Sequence, residues 1–513
     1  MPAMCRDRAL DQNISIMWFR RDLRLADNPA LFAAASGGSV LPCFILDDAA
    51  PETGAVGGAA RWWLHHSLAA LQAQLAQHGL PLLLRRGPAA TTLAAIAHAT
   101  GARRIHACEV PEPQAGARDA ALTTALAAKD VALCRHRGRN LLFPPPQPLT
   151  GGGGPYRVFT PFWRACRARP EPAMPQQPPR PLSQARPTLP ADLPGSGEAL
   201  ADWHLLPRTP DWSGGLQQCW SPGEGAARDR LAAFLAGPAN RYAVDRDFPD
   251  GMRTSRLSPH LHWGEISANT VWHAVRTAQA AGELPARHAE KFLTELGWRE
   301  FCHHLLHHHP LLPARNLNPR FDRFAWRDPK NDAAAGAALR AWQHGRTGYP
   351  VVDAGMRELQ VSGWMHNRAR MVAASFLVKH LRIDWRHGAD WFDDQLVDAD
   401  LASNRAGWQW VAGSGADAAP FFRIFNPILQ GQKFDPEGGY VRRWLPELEG
   451  LPDRHLHAPW QAPSQELANA GIELGHTYPH PIVEHRLARR EALAAFAATG
   501  TDPVGLPNQD VHP

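Results

Sequence analysis

Short apolar runs alternate with amphipathic stretches through the first quarter of the chain. Residues 15–19, 40–46, 80–84, 104–107 and 131–134 lack a polar face, as strands buried on both sides of a parallel sheet do. Between them, residues 59–78, 90–100 and 118–129 carry helical spacing, plainest in Leu64, Leu68, Leu71 and Leu75. Strands alternating with helices predict a doubly wound α/β domain over residues 14–137. From about 138 to 221 the pattern gives way to Pro, Gly and Ser, with Pro144 to Pro146 and Gly151 to Gly154 as markers, and predicts a linker over the surface. Within it residues 155–162 are too aromatic for a free tether and predict a docked segment. Helical periods then run from 226 onward and strand-like alternation fades, so 222–490 reads as an all-helical domain and 491–513 as a tail.

Composition narrows the class. The chain has 513 residues, 44% hydrophobic and 20% charged, enough for two cores and too little charge for disorder. Its net charge of +5 and pI near 8.9 leave room for a basic face that meets phosphates. The seven cysteines are scattered without a C-x-x-C pair, which speaks against disulfides and structural zinc and for a reducing cytoplasm. Neither a secretion leader nor an apolar run of about 18 residues is present, so a membrane role is not expected. Nineteen tryptophans against five tyrosines point to stacking or redox use of indoles.

Three segments of the helical part carry candidate chemistry. In Thr254-Ser255-Arg256-Leu257-Ser258-Pro259, hydroxyls precede a Ser-Pro pair suited to the cap and first turn of a helix, where free amides and Arg256 would cradle phosphate. In 292–301, Glu295, Trp298 and Arg299 share a helical face, bringing together a base-edge acceptor, a stacking ring and a cation. Residues 363–410 place Asn367, Arg370 and Met371 on one stripe, then pack Asp398, Asp400, Asn404, Trp408 and Trp410 into thirteen residues. Buried carboxylates and amides need partners, and a polar cofactor supplies them.

These segments resemble the DNA photolyase and cryptochrome family, closest to its class I cyclobutane pyrimidine dimer photolyases. The opening run from Met17-Trp18-Phe19-Arg20-Arg21-Asp22 to Leu31 matches the family signature, and 421–427 and 430–435 follow its later pattern. The resemblance implies FAD, active in its reduced anionic form, bent into a U. Tyr242, Thr254, Ser255, Arg256, Leu257 and Ser258 would hold its diphosphate. Arg299, Arg370, Asp398 and Asp400 would line isoalloxazine and sugar, with Asn404 at the central ring nitrogen. Glu295, Trp298, Asn367, Met371 and Trp410 would receive a dimer flipped out of damaged DNA. There the excited flavin lends the dimer one electron, which returns after the ring opens, and Glu295 would stabilise the radical anion. Trp408, Trp385 and Trp326 match a relay that reduces resting flavin. The resemblance also implies an antenna chromophore in the α/β domain, a folate (methenyltetrahydrofolate) favoured over a deazaflavin, with Glu109 beside it at the carboxyl edge of the sheet.

The bland readings are kept where they are stronger. The histidines at 303, 304 and 307–309 read as a helix end before Pro310, and no metal is expected. Arg246, Arg253, Arg368 and Arg405 are candidates for phosphate contacts on DNA. The chief rival is a cryptochrome that signals to a protein partner; Asn367, Met371 and the lack of a long polar tail favour repair. A six-four photolyase would place histidines in the pocket, and a dark flavoprotein reductase leaves the lesion hollow unexplained. A monomer acting on damaged DNA is expected.

Overall fold

The computed structural model describes residues 14–48, 56–182, 198–417 and 422–500. Five parallel strands, β1 (Ile14–Phe19), β2 (Ser39–Leu46), β3 (Leu83–Arg86), β4 (Arg104–Cys108) and β5 (Ala132–His136), form one sheet in the order β3-β2-β1-β4-β5. Helices α1 (Pro29–Ser36), α2 (Gly58–Gln77), α3 (Ala89–Thr100) and α4 (Pro113–Ala127) connect them. The strand order reverses between β1 and β4, which defines the crevice where such sheets bind ligands. The sequence pattern places all five strands and misses α1, because Pro29 and the Asn28 cap, which accepts from the Leu31 N–H at 3.2 Å, fall inside the family signature.

That signature joins the two halves of the molecule. Arg24, fully buried, donates to Asn140 Oδ1 at 2.9 Å and to the Gly264 carbonyl at 2.8 Å. Glu224 accepts from the Leu25 and Ala26 N–H groups. Gly264 lies at φ +67, and a Cβ there would stand 2.1 Å from the Arg21 carbonyl oxygen, so only glycine permits this approach.

The linker does more than cross the surface. Leu200, Trp203 and Leu205 are buried in the core beneath the sheet, because side chains this apolar are stable only out of water. Its aromatic segment forms α5 (Phe159–Arg167), which buries Phe159, Phe162 and Cys166 against the helical half. Residues 183–197 of the linker lie outside the described residues.

Among the described residues beyond 221 there is no strand, only isolated bridges. The helices that build the site are α6 (Glu224–Ala236), the five-residue α7 (Ser258–His262), α8 (Ala286–His308), α9 (Pro350–Ser362), α10 (Asn367–Ser375), α11 (Trp385–Gln395) and α12 (Leu401–Ala412). Each end has a local cause: Pro350 opens α9 and Gly363 at φ +63 closes it, while Asp400 caps α12 through the Ser403 N–H at 2.8 Å. Helix α12 packs against α8, α10 and α11 at once, which makes it the centre of the bowl. The expected boundary at residue 490 falls inside α13 (His485–Ala498), whose Ala488, Ala492 and Ala495 are buried; residues 501–513 lie outside the described residues.

Candidate functional site

The floor of the bowl is charged and incompletely satisfied. Arg370 Nη2 donates to both oxygens of Asp398, at 2.9 and 3.0 Å, while its Nε donates to the Met365 carbonyl at 2.7 Å. Asp400 sits between His262 Nδ1 at 3.6 Å and His303 Nε2 at 3.4 Å, all three nearly closed to solvent. Burial opposes ionisation of Asp400, but His303 and His262 more than offset it and hold the carboxyl well below its usual range. Burial pushes the His262 imidazole down. His262 Nδ1 and His303 Nε2 face Asp400, and the other ring nitrogen of each histidine has no hydrogen-bond partner among the described residues. Buried groups of this kind call for a polar occupant.

The loop before α7 supplies a second orphaned region. Arg256 adopts φ +51, with its guanidinium 5.2 Å from the Trp220 ring and 4.5 Å from the Trp364 ring. Such placement of a non-glycine residue in the left-handed region needs support from its surroundings. Support comes from Glu358, buried 3.8 Å behind it, which also accepts from the Tyr440 hydroxyl at 2.7 Å. Burial pushes the Glu358 carboxyl up. The cap of α7 is Leu257, with no side-chain capping bond; its N–H donates to Ser255 Oγ at 3.4 Å. Thr254 and Ser255 open onto a cavity of about 470 Å³ that Arg230 and Phe234 also line. Ser258 accepts from the Trp364 indole N–H at 3.3 Å. Tyr242 is buried edge-on against Phe292.

The wall above the floor carries the residues expected to meet substrate. On α10 Asn367 is exposed and donates to Met371 Sδ at 3.7 Å, one turn from Arg370. On α8 Glu295 is ion-paired with Arg246 and with Lys291 Nζ at 2.9 Å, and keeps 23% of its side chain exposed. Sequence spacing suggested Arg299 as its neighbour. Arg299 instead donates to the Asn140 carbonyl in the linker and to the Leu261 carbonyl in α7, because folding brings both within reach of its guanidinium. Trp298 is half-buried and stacks on Phe159 with ring centres 3.8 Å apart. The Trp410 indole N–H donates to the Asp417 carbonyl at 3.0 Å. Asn404 donates to the Ala389 carbonyl at 2.9 Å and Asp393 at 2.6 Å, which leaves its oxygen without a partner among the described residues.

Of the three expected relay indoles, two are buried and one is half-buried. Trp408 is buried edge-on against Phe392 and Trp342; Trp385 is fully buried and donates to Asn316 at 2.8 Å; Trp326 is half-buried. No ring stacking joins the three among the described residues. Glu109 is exposed just past β4, its N–H bonded to the His136 carbonyl at 2.8 Å. The candidate DNA arginines are all tied down: Arg368 to Asp247, Arg405 to Asp390 and Asp393, Arg253 to Asp250 and Arg246 to Glu295. Phe421, in the later family pattern, lies outside the described residues.

Sequence reasoning missed His262 and His303. The first sat in no motif, and the second was absorbed into a histidine run read as a plain helix end. That run is divided by function: His303 faces Asp400, while His304 accepts the Tyr156 N–H at 3.1 Å and donates to the Pro145 carbonyl at 2.9 Å, holding the linker. The signal was available, since two adjacent histidines on a helix cannot both be solvated from one face.

A parallel α/β domain is thus joined to a helical bowl whose buried, charged floor is only half satisfied, an arrangement suited to a polar cofactor. Known proteins share this plan. Residues 15–181 match the model of DNA photolyase and residues 292–498 that of the FAD binding domain of DNA photolyase. The chain is 50% identical to the deoxyribodipyrimidine photo-lyase of Agrobacterium fabrum over 94% of its own length and 97% of that protein. It is 39% identical to cryptochrome-1 of Arabidopsis thaliana, over 94% of its length and 70% of that one. The crystal structure of a bacterial class III photolyase from Agrobacterium tumefaciens superposes with a TM-score of 0.89 at 49% identity, covering 96% of this chain and 99% of that one. The chain therefore belongs to the DNA photolyase and cryptochrome family, and its helical half is an FAD-binding domain.

Proposed function

We propose that the protein is a DNA photolyase that uses blue light to split cyclobutane pyrimidine dimers. One observation carries the reading. The short helix α10 bears Arg370, tied to Asp398 at the floor, and one turn earlier Asn367, exposed on the sulfur of Met371, so a single element reaches both cofactor and substrate.

The residues present fit FAD. Orphaned imidazoles at Asp400, the cavity beside Thr254 and Ser255, and the free oxygen of Asn404 offer donors and acceptors of both kinds. Arg256 with Thr254, Ser255, Leu257 and Ser258 would hold the diphosphate, Tyr242 would support that wall, and Arg370, Asp398 and Asp400 would face ring and sugar. Reduced FAD, when bound, supplies a light-driven one-electron donor.

The chain's own residues do the rest. Trp298 and Trp410 replace the stacking that the dimer loses on leaving the duplex, at a cost of a few kcal/mol. Asn367 offers its amide to the base edges. Glu295 accepts from a base N–H and holds Arg246 and Lys291 beside the dimer, where the two cations stabilise the negative charge gathering on it. Trp408, Trp385 and Trp326 are proposed to bring electrons inward before the first turnover.

The finer assignments follow the same reading. A 49% identity to a bacterial class III photolyase favours that branch over class I. A folate antenna near Glu109, a monomeric state and a cytoplasmic site are proposed; no helix among the described residues is long and apolar enough to cross a membrane. We place the working division at 14–137, 138–221 and from 222 through the end of α13 at Ala498. The test is direct: dimer-bearing DNA with FAD-loaded, reduced protein regains thymine absorbance in blue light, and a dark sample does not. Intact flavin without recovery would favour the cryptochrome.

A further inference from the structure

We propose that the interdomain segment 155–163 is a working part of the lesion site: it fixes both indoles of the substrate wall before DNA arrives. The inference rests on the dimer reading given above and adds positioning residues to it.

Two separate contacts lead from this segment to the two indoles. The first is the stack of Phe159 on Trp298, with ring centres 3.8 Å apart and planes 9° from parallel, closer than the edge-on contact of Trp298 with Phe301 at 6.0 Å. An indole held flat on one face has lost its rotamer freedom already, and the other face is presented to a base at a defined tilt. The second contact runs through main chain. The Asp417 N–H donates to the Arg157 carbonyl at 3.1 Å, and the Asp417 carbonyl accepts the Trp410 indole N–H at 3.0 Å. Trp410 is thereby tethered to the linker two residues before Phe159.

The segment is anchored to do this. Trp163 lies over Gly297, the residue just before Trp298, so closely that a Cβ at 297 would stand 2.6 Å from its ring. His304, about two turns further along α8, fixes Tyr156 at the start of the segment. Phe159 and Phe162, within the segment, are themselves buried. The anchors lie on both sides of the stack, as a scaffold requires and a passing tether does not.

Phe159 and Gly297 are therefore positioning residues for recognition, acting through Trp298. In the FAD-loaded protein, Phe159→Leu removes the flat ring while keeping apolar volume, and Gly297→Ala pushes the segment off α8 while improving that helix. Each is expected to raise Kd for dimer-containing duplex about tenfold, equivalent to about 1.4 kcal/mol. Affinity for undamaged duplex, which rests on phosphate contacts, stays within about twofold. Phe159→Tyr keeps the stack and restores discrimination. FAD content stays at the wild-type level in all three, and the near-ultraviolet circular dichroism of Phe159→Leu loses the signal of a coupled aromatic pair. If both Phe159→Leu and Gly297→Ala keep wild-type discrimination, the proposal is overturned. Loss of binding to both DNAs, or failure of Phe159→Tyr to restore it, equally overturns it, since that is a general folding defect. A wild-type protein that does not prefer dimer DNA at all sinks the dimer reading instead, and the dichroism still reports on the stack.

Discussion

At the level of single residues the chemistry depends on which partners each charged group finds. Glu295 was legible from its spacing to Trp298, and Lys291 four residues earlier on α8 lies within reach of the same argument, but Arg246 was not legible, because it lies 49 residues earlier on another element. Helical periodicity reports neighbours on one helix and is silent about those brought by folding. Glu295→Ala should lower the splitting yield of bound dimer by about tenfold while leaving DNA affinity within about threefold. Yield per absorbed photon and a binding titration measure the two separately, and equal losses would refute the role. Asp400 shows the same limit: its burial was foreseen, while His262 and His303 beside it were not. Removing one partner of a buried charge costs about 3–5 kcal/mol, so Asp400→Ala should release flavin and lower the melting temperature together.

At the level of elements, packing decides where the indoles stand. Gly388 on α11 lies so close to Trp408 on α12 that an added Cβ would be 2.1 Å from its ring. Gly388→Ala should therefore cost about 1–3 kcal/mol through overpacking and disturb photoreduction before repair. Trp408→Phe should abolish photoreduction of oxidised flavin yet leave repair intact once flavin is reduced chemically; absorbance during illumination distinguishes these outcomes. The strands were the most legible elements, because a run apolar on both faces admits few readings. The linker was the least, since Pro and Gly mark its chain direction but not the burial of Trp203 or Phe159. Its aromatic segment was read as docked, and the structure shows where it docks.

Across the whole molecule, several histidines are buried in a neutral state, and their cost appears in acid. Burial, the leading cause in each case, lowers His304 and His366 to about 4 and His380 to about 3. A group whose folded pKa lies below its unfolded value, about 6.5 for histidine, binds more protons unfolded. Stability is then complete above about pH 6.5 and falls as pH drops toward 4, by up to about 3 kcal/mol for a site like His366. Thermal melts between those limits should show a steady decline; a flat profile would contradict the burial. The joint between the halves, built on Arg24 and Gly264, was visible only as a family signature whose physical purpose the sequence did not disclose.

The helical bowl is proposed to hold flavin under a hollow shaped for two fused pyrimidines. Single light flashes given to reduced, FAD-loaded protein, with thymine absorbance read after each, test it on three substrates: duplex with a cyclobutane dimer, duplex with a six-four lesion, and undamaged duplex. Stepwise recovery on the cyclobutane duplex alone is the predicted result. Recovery on none of them, or only on the six-four lesion, would contradict it.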